Sequence, residues 1–395
     1  MKKVLYVAHE NTKGGATHSL INVLDYLPEH IQPYVLIPKT LSIRSYFSKE
    51  YRLLMNAGTL KQELHKRKIP YYEAFYFLDN INVKQNILRK FFFSLIRNRE
   101  LNKIKKKIKN DNIQVIHSNS SVIRFGADLA RICQLRHLWH IREDVKDVFN
   151  ISEKNLKGYI NNIIENAEKI IFVSEKLKLN FLRNVKNMCE NNVHEKQIVK
   201  IYNGIPLFDY KGIISNVKDE SFNIYCFGTV YEIKGQEDLI YLAKKMKDEG
   251  ISQFSITLVG TKKQGYYEYL LTLIKKYQLE NIVKFVDYTN DLDSLRADAS
   301  VEVVSSRSEA FGRVAVEAMN FGNPLVATCV GGLQEIVEHK KTGLQYKPGD
   351  IEGLYQNIRL IMNGEIDLDE LKKNARKKSK EFDIQKCVSE ICKLY

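Results

Sequence analysis

The sequence predicts an α/β protein made of two doubly wound, Rossmann-like domains. Three observations carry this. The chain has 395 residues, the length of about two ordinary domains. It is 44% hydrophobic and 27% charged, the composition of a globular protein with a large core, which excludes disordered, collagenous and disulfide-framework classes. Short β-branched runs alternate with helical stretches in two successive series, the pattern of parallel sheets covered by helices.

The first strand is expected at residues 4–8, followed by a loop and helix over 14–27 and a strand at 34–37. Strands at 115–117, 138–140 and 170–173 complete the first series, with helical periodicity between them. The second series has strands at 224–227, 255–259, 283–286, 301–304 and 324–327, and helices at 236–249, 266–277 and 311–320. Asn203, Gly204 and Pro206 are turn formers, and 209–221 is polar and weakly patterned, so the junction falls there. The expected domains are 1–208 and 209–375, with a C-terminal helix over 376–395 that packs back on the first domain.

Charge divides the chain unevenly. Residues 1–205 carry 35 basic and 19 acidic side chains, a net of +16, against −2 for residues 206–395. A positive half implies an anionic partner: nucleic acid, an acidic membrane or a phosphate-bearing substrate. The cysteines, Cys133, Cys189, Cys226, Cys329, Cys387 and Cys392, form no Cys-x-x-Cys pair and no zinc spacing. They fit reduced thiols in a cytoplasmic protein. The first ten residues read as a strand, not a signal peptide, and no apolar run is long enough to span a membrane.

Two turns at strand ends carry candidate chemistry. Gly14-Gly15-Ala16 opens a helix after the first strand, where backbone amides can approach a phosphate or sugar closely. An ordinary β–α turn fits the same residues. The stretch from Ser305 to Met319 follows the strand at 301–304. A helix starting near Phe311 and Gly312 would aim its free N–H groups at a diphosphate. Glu309 sits at the carboxyl end of that strand, where α/β folds bind ligands. A carboxylate repels phosphate and would instead accept hydrogen bonds from hydroxyls. Glu317 lies eight residues on, about two turns if both are helical, so the pair would hold two sugar rings of one ligand. Two surface charges on an amphipathic helix fit the pattern equally.

This segment resembles the Glu-x7-Glu signature of retaining glycosyltransferases of the GT-B fold, family 4. Phe321-Gly322-Asn323-Pro324, Gly331-Gly332-Leu333-Gln334-Glu335 and Lys341-Thr342-Gly343-Leu344 agree with it. Ile201-Tyr202-Asn203-Gly204 resembles the family's interdomain turn, and the loop from Gly228 to Lys234-Gly235 its Gly-Arg-x4-Lys-Gly element. The resemblance implies two domains facing each other across a cleft, the first holding the acceptor and the second the nucleotide sugar. It implies that Glu309 contacts hydroxyls of the donor sugar and Glu317 those of the ribose. Lys234 and the amides of Ala310, Phe311 and Gly312 would neutralise the diphosphate. Gly260 would fall near the base pocket, and Gly14, Gly15, Gly228, Thr229 and Arg313 would join the donor site. Thr229 stands where the family often has arginine, so one diphosphate contact is missing, for which Arg313 or Arg307 would compensate.

His140, in Leu138-Trp139-His140-Ile141-Arg142-Glu143, ends a strand where the resemblance implies a catalytic histidine beside the donor sugar; a buried structural histidine is the alternative. His117 ends the preceding strand and is the weaker candidate. Asp291-Leu292-Asp293 looks like a metal-binding pair but stands before a helix, where Asp is a common cap. The family generally needs no metal, and none is expected, nor any cofactor beyond the UDP- or GDP-sugar donor. The basic stretch 84–109 contains Phe91, Phe92 and Phe93, then Arg97, Arg99, Lys103, Lys105, Lys106, Lys107 and Lys109, with Leu101, Ile104 and Ile108 at helical spacing. It would lie on anionic lipid or be a solvated basic face. No nucleic-acid-binding motif accompanies it.

The sequence therefore implies a retaining, metal-independent glycosyltransferase acting on a glycan, a lipid-linked substrate or another hydroxyl acceptor, cytoplasmic or peripheral at the inner membrane face. A catalytically silent sugar-nucleotide or protein-binding module, and less readily an epimerase of similar fold, are the alternatives.

Overall fold

The computed structural model describes residues 1–12, 14–39, 58–76, 87–149, 151–189, 193–210, 221–289 and 291–395. They form two compact units, Met1–Gly204 with Ile384–Tyr395, and Ile205–Asp383. These limits differ from 1–208, 209–375 and 376–395. What reads as one C-terminal helical pattern is two helices, Leu368–Ser379 and Ile384–Cys392. The first stays with the second unit. The second buries Ile384, Cys387, Val388 and Ile391 in the core of the first unit, beside Val4, Leu20, Leu24 and Ile201.

The first unit is built on β1 (Lys2–Val7), β2 (Ile31–Lys39), β3 (Tyr71–Phe75), β4 (Val115–Ser118), β5 (Arg136–Ile141), β6 (Lys169–Phe172) and β7 (Ile198–Lys200). They form a parallel sheet in the order β3-β2-β1-β4-β5-β6-β7. Val4, Val35, Val115, Leu138 and Ile171 are buried in it without exposed surface; each such side chain contributes about 1.5–3 kcal/mol. The chain winds one way from β1 to β2 and the other way from β1 to β4. The loops after β1 and β4 therefore leave a crevice at the carboxyl end of the sheet. In register, Tyr6 pairs with His117 and His117 with Leu138. Residues two apart share a face of a strand, so Tyr6, His117 and His140 project from one side.

The second unit is built on β8 (Phe222–Phe227), β9 (Phe254–Val259), β10 (Val283–Val286), β11 (Val301–Val304), β12 (Leu325–Thr328) and β13 (Leu344–Tyr346). They form a parallel sheet in the order β10-β9-β8-β11-β12-β13. The winding reverses between β8 and β11. The loops after those strands, one holding Gly228 and Thr229 and the other Glu309, meet at the same kind of crevice.

Gly204 is more than a turn former. A Cβ there would lie 2.6 Å from the Ile384 backbone and 2.8 Å from Cys387 Cβ, so its missing side chain admits the helix Ile384–Cys392. Residues 211–220 of the expected junction lie outside the described residues. Among the described residues no helix is long and apolar enough to cross a membrane, and all six cysteines are free thiols.

Candidate active site

The second unit brings Glu309 and Lys234 together. Glu309 lies in the loop between β11 and the helix Arg313–Phe321, whose N-cap is Gly312. Only Glu317 is therefore helical, and Glu309 stands before the helix at the end of the strand. Lys234 ends a single 3-10 turn, Glu232–Lys234, after β8. That turn is pinned to the loop after β11: Ser305 Oγ donates to the Lys234 carbonyl at 2.8 Å and the Arg307 amide to the Ile233 carbonyl at 2.8 Å. The Lys234 ammonium then donates to the Glu309 carboxylate, and Ser306 Oγ lies 3.3 Å from the same oxygen. The Gly332 amide donates to the Glu309 carbonyl at 2.9 Å. A Cβ at Gly331, whose φ is +46°, would lie 1.8 Å from that carbonyl oxygen. Only glycine fits there.

Glu317 is held by two guanidiniums, Arg296 at 3.1 Å and Arg313 at 3.3 Å. Arg296 is itself buried, stacks over the Phe227 ring at 4.6 Å, and donates to both oxygens of Glu302 at 2.9 and 2.8 Å. Glu302 is wholly buried and also accepts from Asn323 Nδ2 at 2.9 Å. Burial pushes its carboxyl up, and Arg296 opposes that. Neither Arg296 nor Glu302 was singled out in the sequence. The signal was a charged residue inside the apolar run Val301-Glu302-Val303-Val304, which a central strand tolerates only with a partner.

Arg307 does not stand in for the missing arginine at Thr229. Its guanidinium forks onto Asp238 at 2.7 and 2.6 Å and reaches Glu237 at 2.7 Å. Arg313 is turned to Glu317. Phe311 is buried, its ring 5.6 Å from that of Phe382. Ala310 precedes it in the same loop. Gly228 and Gly260 follow β8 and β9, and their amides bond to Val259 and Val286 across the strand ends, each at 2.9 Å. The Thr229 carbonyl accepts from Gln236 Nε2 at 2.9 Å. Asp291 caps the helix Leu292–Ala297 by accepting from the Ser294 amide at 3.3 Å.

In the first unit His140 is buried among polar groups. Arg142 Nη2 lies 3.2 Å from its Nδ1, and His117 Nε2 lies 3.3 Å from the same atom. A guanidinium only donates, so Nδ1 accepts and the ring proton sits on Nε2. Nε2 is buried and has no hydrogen-bond partner among the described residues. Burial, then the Arg142 charge, holds the imidazole well below its usual pKa, so it is neutral. Arg142 is itself fixed by Asn119 Oδ1 at 2.9 Å and by Asn203. Glu143 accepts from Ser120 Oγ at 2.9 Å, the Ser121 amide at 2.8 Å and Ser121 Oγ at 2.5 Å. Gly14 and Gly15 open the helix Gly15–Asp25. A Cβ at Gly14 would lie 2.4 Å from Glu10 Oε1, and a carboxylate that close favours hydroxyls over phosphate at this turn.

The basic stretch forms the helix Ile87–Asn110. Leu101, Ile104 and Ile108 are buried, while Lys103, Lys105 and Lys106 are exposed. Lys107 folds over the Tyr72 ring at 5.0 Å, which removes it from that face. Lys84 and the side chains of Phe91, Phe92 and Phe93 lie outside the described residues.

Residues 213–378 match the family model described as glycosyl transferases group 1. An uncharacterized glycosyltransferase of Methanocaldococcus jannaschii is 30% identical over 293 residues, spanning 73% of this chain and 76% of the relative. The chain belongs to the group 1 glycosyltransferases. The fold agrees. HepE of Anabaena, solved in complex with UDP-glucose, superposes on this glycosyltransferase with a TM-score of 0.77 at 23% identity, covering 100% of each chain. Sucrose-phosphate synthase from Thermosynechococcus elongatus superposes with a TM-score of 0.73 at 19% identity, covering 100% of the glycosyltransferase and 98% of that chain.

Proposed function

We propose that this glycosyltransferase moves a sugar from a UDP-sugar to a hydroxyl acceptor, with retention at the anomeric carbon and without a metal. The observation that carries the reading is the Lys234–Glu309 pair at the crevice of the second sheet. A cation suited to a diphosphate stands beside a carboxylate suited to sugar hydroxyls. Lys234 and the N-terminal end of the helix Arg313–Phe321 stabilise the charge that grows on the leaving diphosphate. Glu309 accepts from hydroxyls of the transferred sugar, and Glu317 from the ribose. His140, whose Nε2 has no partner among the described residues, is the catalytic histidine of this reading. The acceptor oxygen bonds to the anomeric carbon on the face from which the diphosphate leaves, and its proton passes to the departing phosphate oxygen. The UDP-glucose complex of HepE supports UDP over GDP as the first donor to test.

The acceptor is read from charge. The net of +16 over residues 1–205 and the exposed Lys103, Lys105 and Lys106 favour a phosphate-linked lipid at an anionic membrane face. The test is a binding screen of UDP-, GDP- and ADP-sugars, followed by transfer to lipid-linked and soluble acceptors with the anomer of the product determined. An inverted product, or a trapped covalent glycosyl–enzyme, overturns the mechanism. Transfer to soluble acceptors alone overturns the membrane assignment.

A further inference from the structure

Arg307 touches the chain on both sides of Lys234. Its amide donates to the Ile233 carbonyl, just before the lysine, at 2.8 Å. Its guanidinium passes beside Gly235, just after the lysine: a Cβ on Gly235 would lie 3.1 Å from Arg307 Cζ and 3.2 Å from Nε. The fork then ends on Asp238 and Glu237, in the first turn of the helix Glu237–Asp248, with bonds of 2.6 to 2.7 Å. One side chain thus grips both ends of the segment that carries Lys234. Backbone meets backbone inside that grip. Gly235 has φ +62°, and a Cβ there would lie 2.3 Å from the Ser305 carbonyl oxygen, so only glycine fits. Asp238 is the far anchor. It is buried and also accepts from the Tyr346 hydroxyl and the Gly349 amide, each at 3.2 Å. These tie it to β13 and to the loop beyond. Among the described residues Arg307 is the only cation paired with it.

We propose that Arg307 is a positioning residue: it clamps residues 233–238 between the loop after β11 and the anchored helix start, and so holds the Lys234 ammonium in place for the leaving diphosphate. The role in transfer rests on the reading of Lys234 above; the clamp stands without it. A lysine is a point charge on a flexible stem, so its aim is set by the backbone that carries it and by the group it meets. Arg307 governs both. It grips the turn of Lys234, and it stands two residues before Glu309, the carboxylate to which Lys234 donates. Without the guanidinium, Gly235 loses its neighbour and Asp238 its counter-charge. A buried carboxylate stripped of its cation is strongly unfavourable, so the helix start must shift to hydrate Asp238. Lys234, four residues earlier in the chain, shifts with it. The bonds from Ser305 Oγ and the residue 307 amide then hold a turn that is fixed at one end only.

The test uses full-length protein and reads Lys234 directly. Brief acetylation followed by peptide mass spectrometry gives the labelling rate of Lys234 against that of the exposed Lys106. Arg307→Met should raise the Lys234 rate several-fold and leave Lys106 unchanged, because an amine released from its carboxylate loses its proton more readily and reacts faster. A second variant guards against misfolding. Arg307→Met with Asp238→Asn removes both charges and keeps an oxygen for Tyr346 and Gly349. Its urea midpoint should recover while Lys234 stays fast. Arg307→Met should also lower kcat with UDP-glucose about tenfold, as a misplaced catalytic group does, with KM changed less. In a Lys234→Ala background the same substitution should lower kcat little further, since the two act as one unit. An ion pair that only supports the fold would lower kcat equally in both backgrounds. Wild-type labelling of Lys234 in folded Arg307→Met, slow labelling regained together with the urea midpoint in the double variant, or equal kcat losses in both backgrounds overturns the proposal. If Lys234→Ala itself keeps wild-type kcat, the reading of Lys234 fails, and the labelling rates alone decide whether Arg307 holds it.

Discussion

The ammonium of Lys234 donates to the carboxylate of Glu309, 75 positions further along the chain. The two arrive on separate loops, after β8 and β11, because the winding of the sheet reverses between those strands. Each holds the other in place before a donor arrives. Lys234→Ala should lower kcat by about 10²–10³, the cost of removing one preorganised charge from a leaving group. Because the lysine is about a third exposed, the pair contributes less than about 1 kcal/mol to stability. Single-turnover transfer and urea midpoints measured on the same variant separate the two effects. Wild-type kcat would remove Lys234 from the chemistry.

Glu309 and Glu317 should fail differently. Glu309→Ala is expected to lose transfer while keeping most of its affinity for the nucleotide; Glu317→Ala is expected to lose affinity for the nucleotide itself. Calorimetric titration with UDP, set beside transfer rates, reads the split. Equal behaviour of the two variants defeats the assignment.

Arg296 sustains Glu317 from a buried position. Arg296→Met leaves the Glu302 carboxylate buried with only Asn323 as a side-chain partner among the described residues, and should destabilise the protein by about 3–5 kcal/mol. Arg296→Met combined with Glu302→Leu removes both charges and should recover much of that loss in chemical denaturation, while nucleotide affinity stays low. A double variant no more stable than the single one would contradict the account.

The backbone under Glu309 is tightly constrained. A side chain at Gly331 meets the Glu309 carbonyl, so Gly331→Ala must displace Glu309. A misplacement of about 1 Å costs about a hundredfold in rate. Normal kinetics with an intact circular dichroism spectrum would count against Glu309.

Acid should weaken the first unit. Burial, above all, lowers His117 to about 3 and His137 to about 4. The unfolded chain takes up these protons near 6.5 and the folded chain does not. Stability from the two residues is therefore whole above pH 6.5 and falls as pH drops towards 4, by about 1.4 kcal/mol per unit for each histidine. His137→Gln should flatten the dependence of the urea midpoint between pH 7 and 5. An unchanged slope would show that His137 is already protonated in the fold.

The central strands of both sheets were legible because each is a local run of β-branched residues. The sequence-level strands at 115–117 and 301–304 lie within or coincide with β4 and β11. The strands missed, β3, β7 and β13, are all sheet edges. Edge strands are short and bury fewer side chains, so their pattern is faint; every residue of β7 is only half-buried. The segment from Glu309 to Glu317 was legible for the same local reason, a strand end followed by a helix start.

What the sequence by itself determined was the alternation of strands and helices, the two-domain plan and the Glu309–Glu317 segment, since each is written within a few consecutive residues. Only the tertiary structure decided which charges meet. It committed Arg307 to Asp238, set Arg296 between Glu302 and Glu317, and lined up Tyr6, His117, His140 and Tyr395. Hydrogen-bond direction depends on which groups lie within 3 Å or so of one another, and for residues 389 positions apart only the fold supplies that.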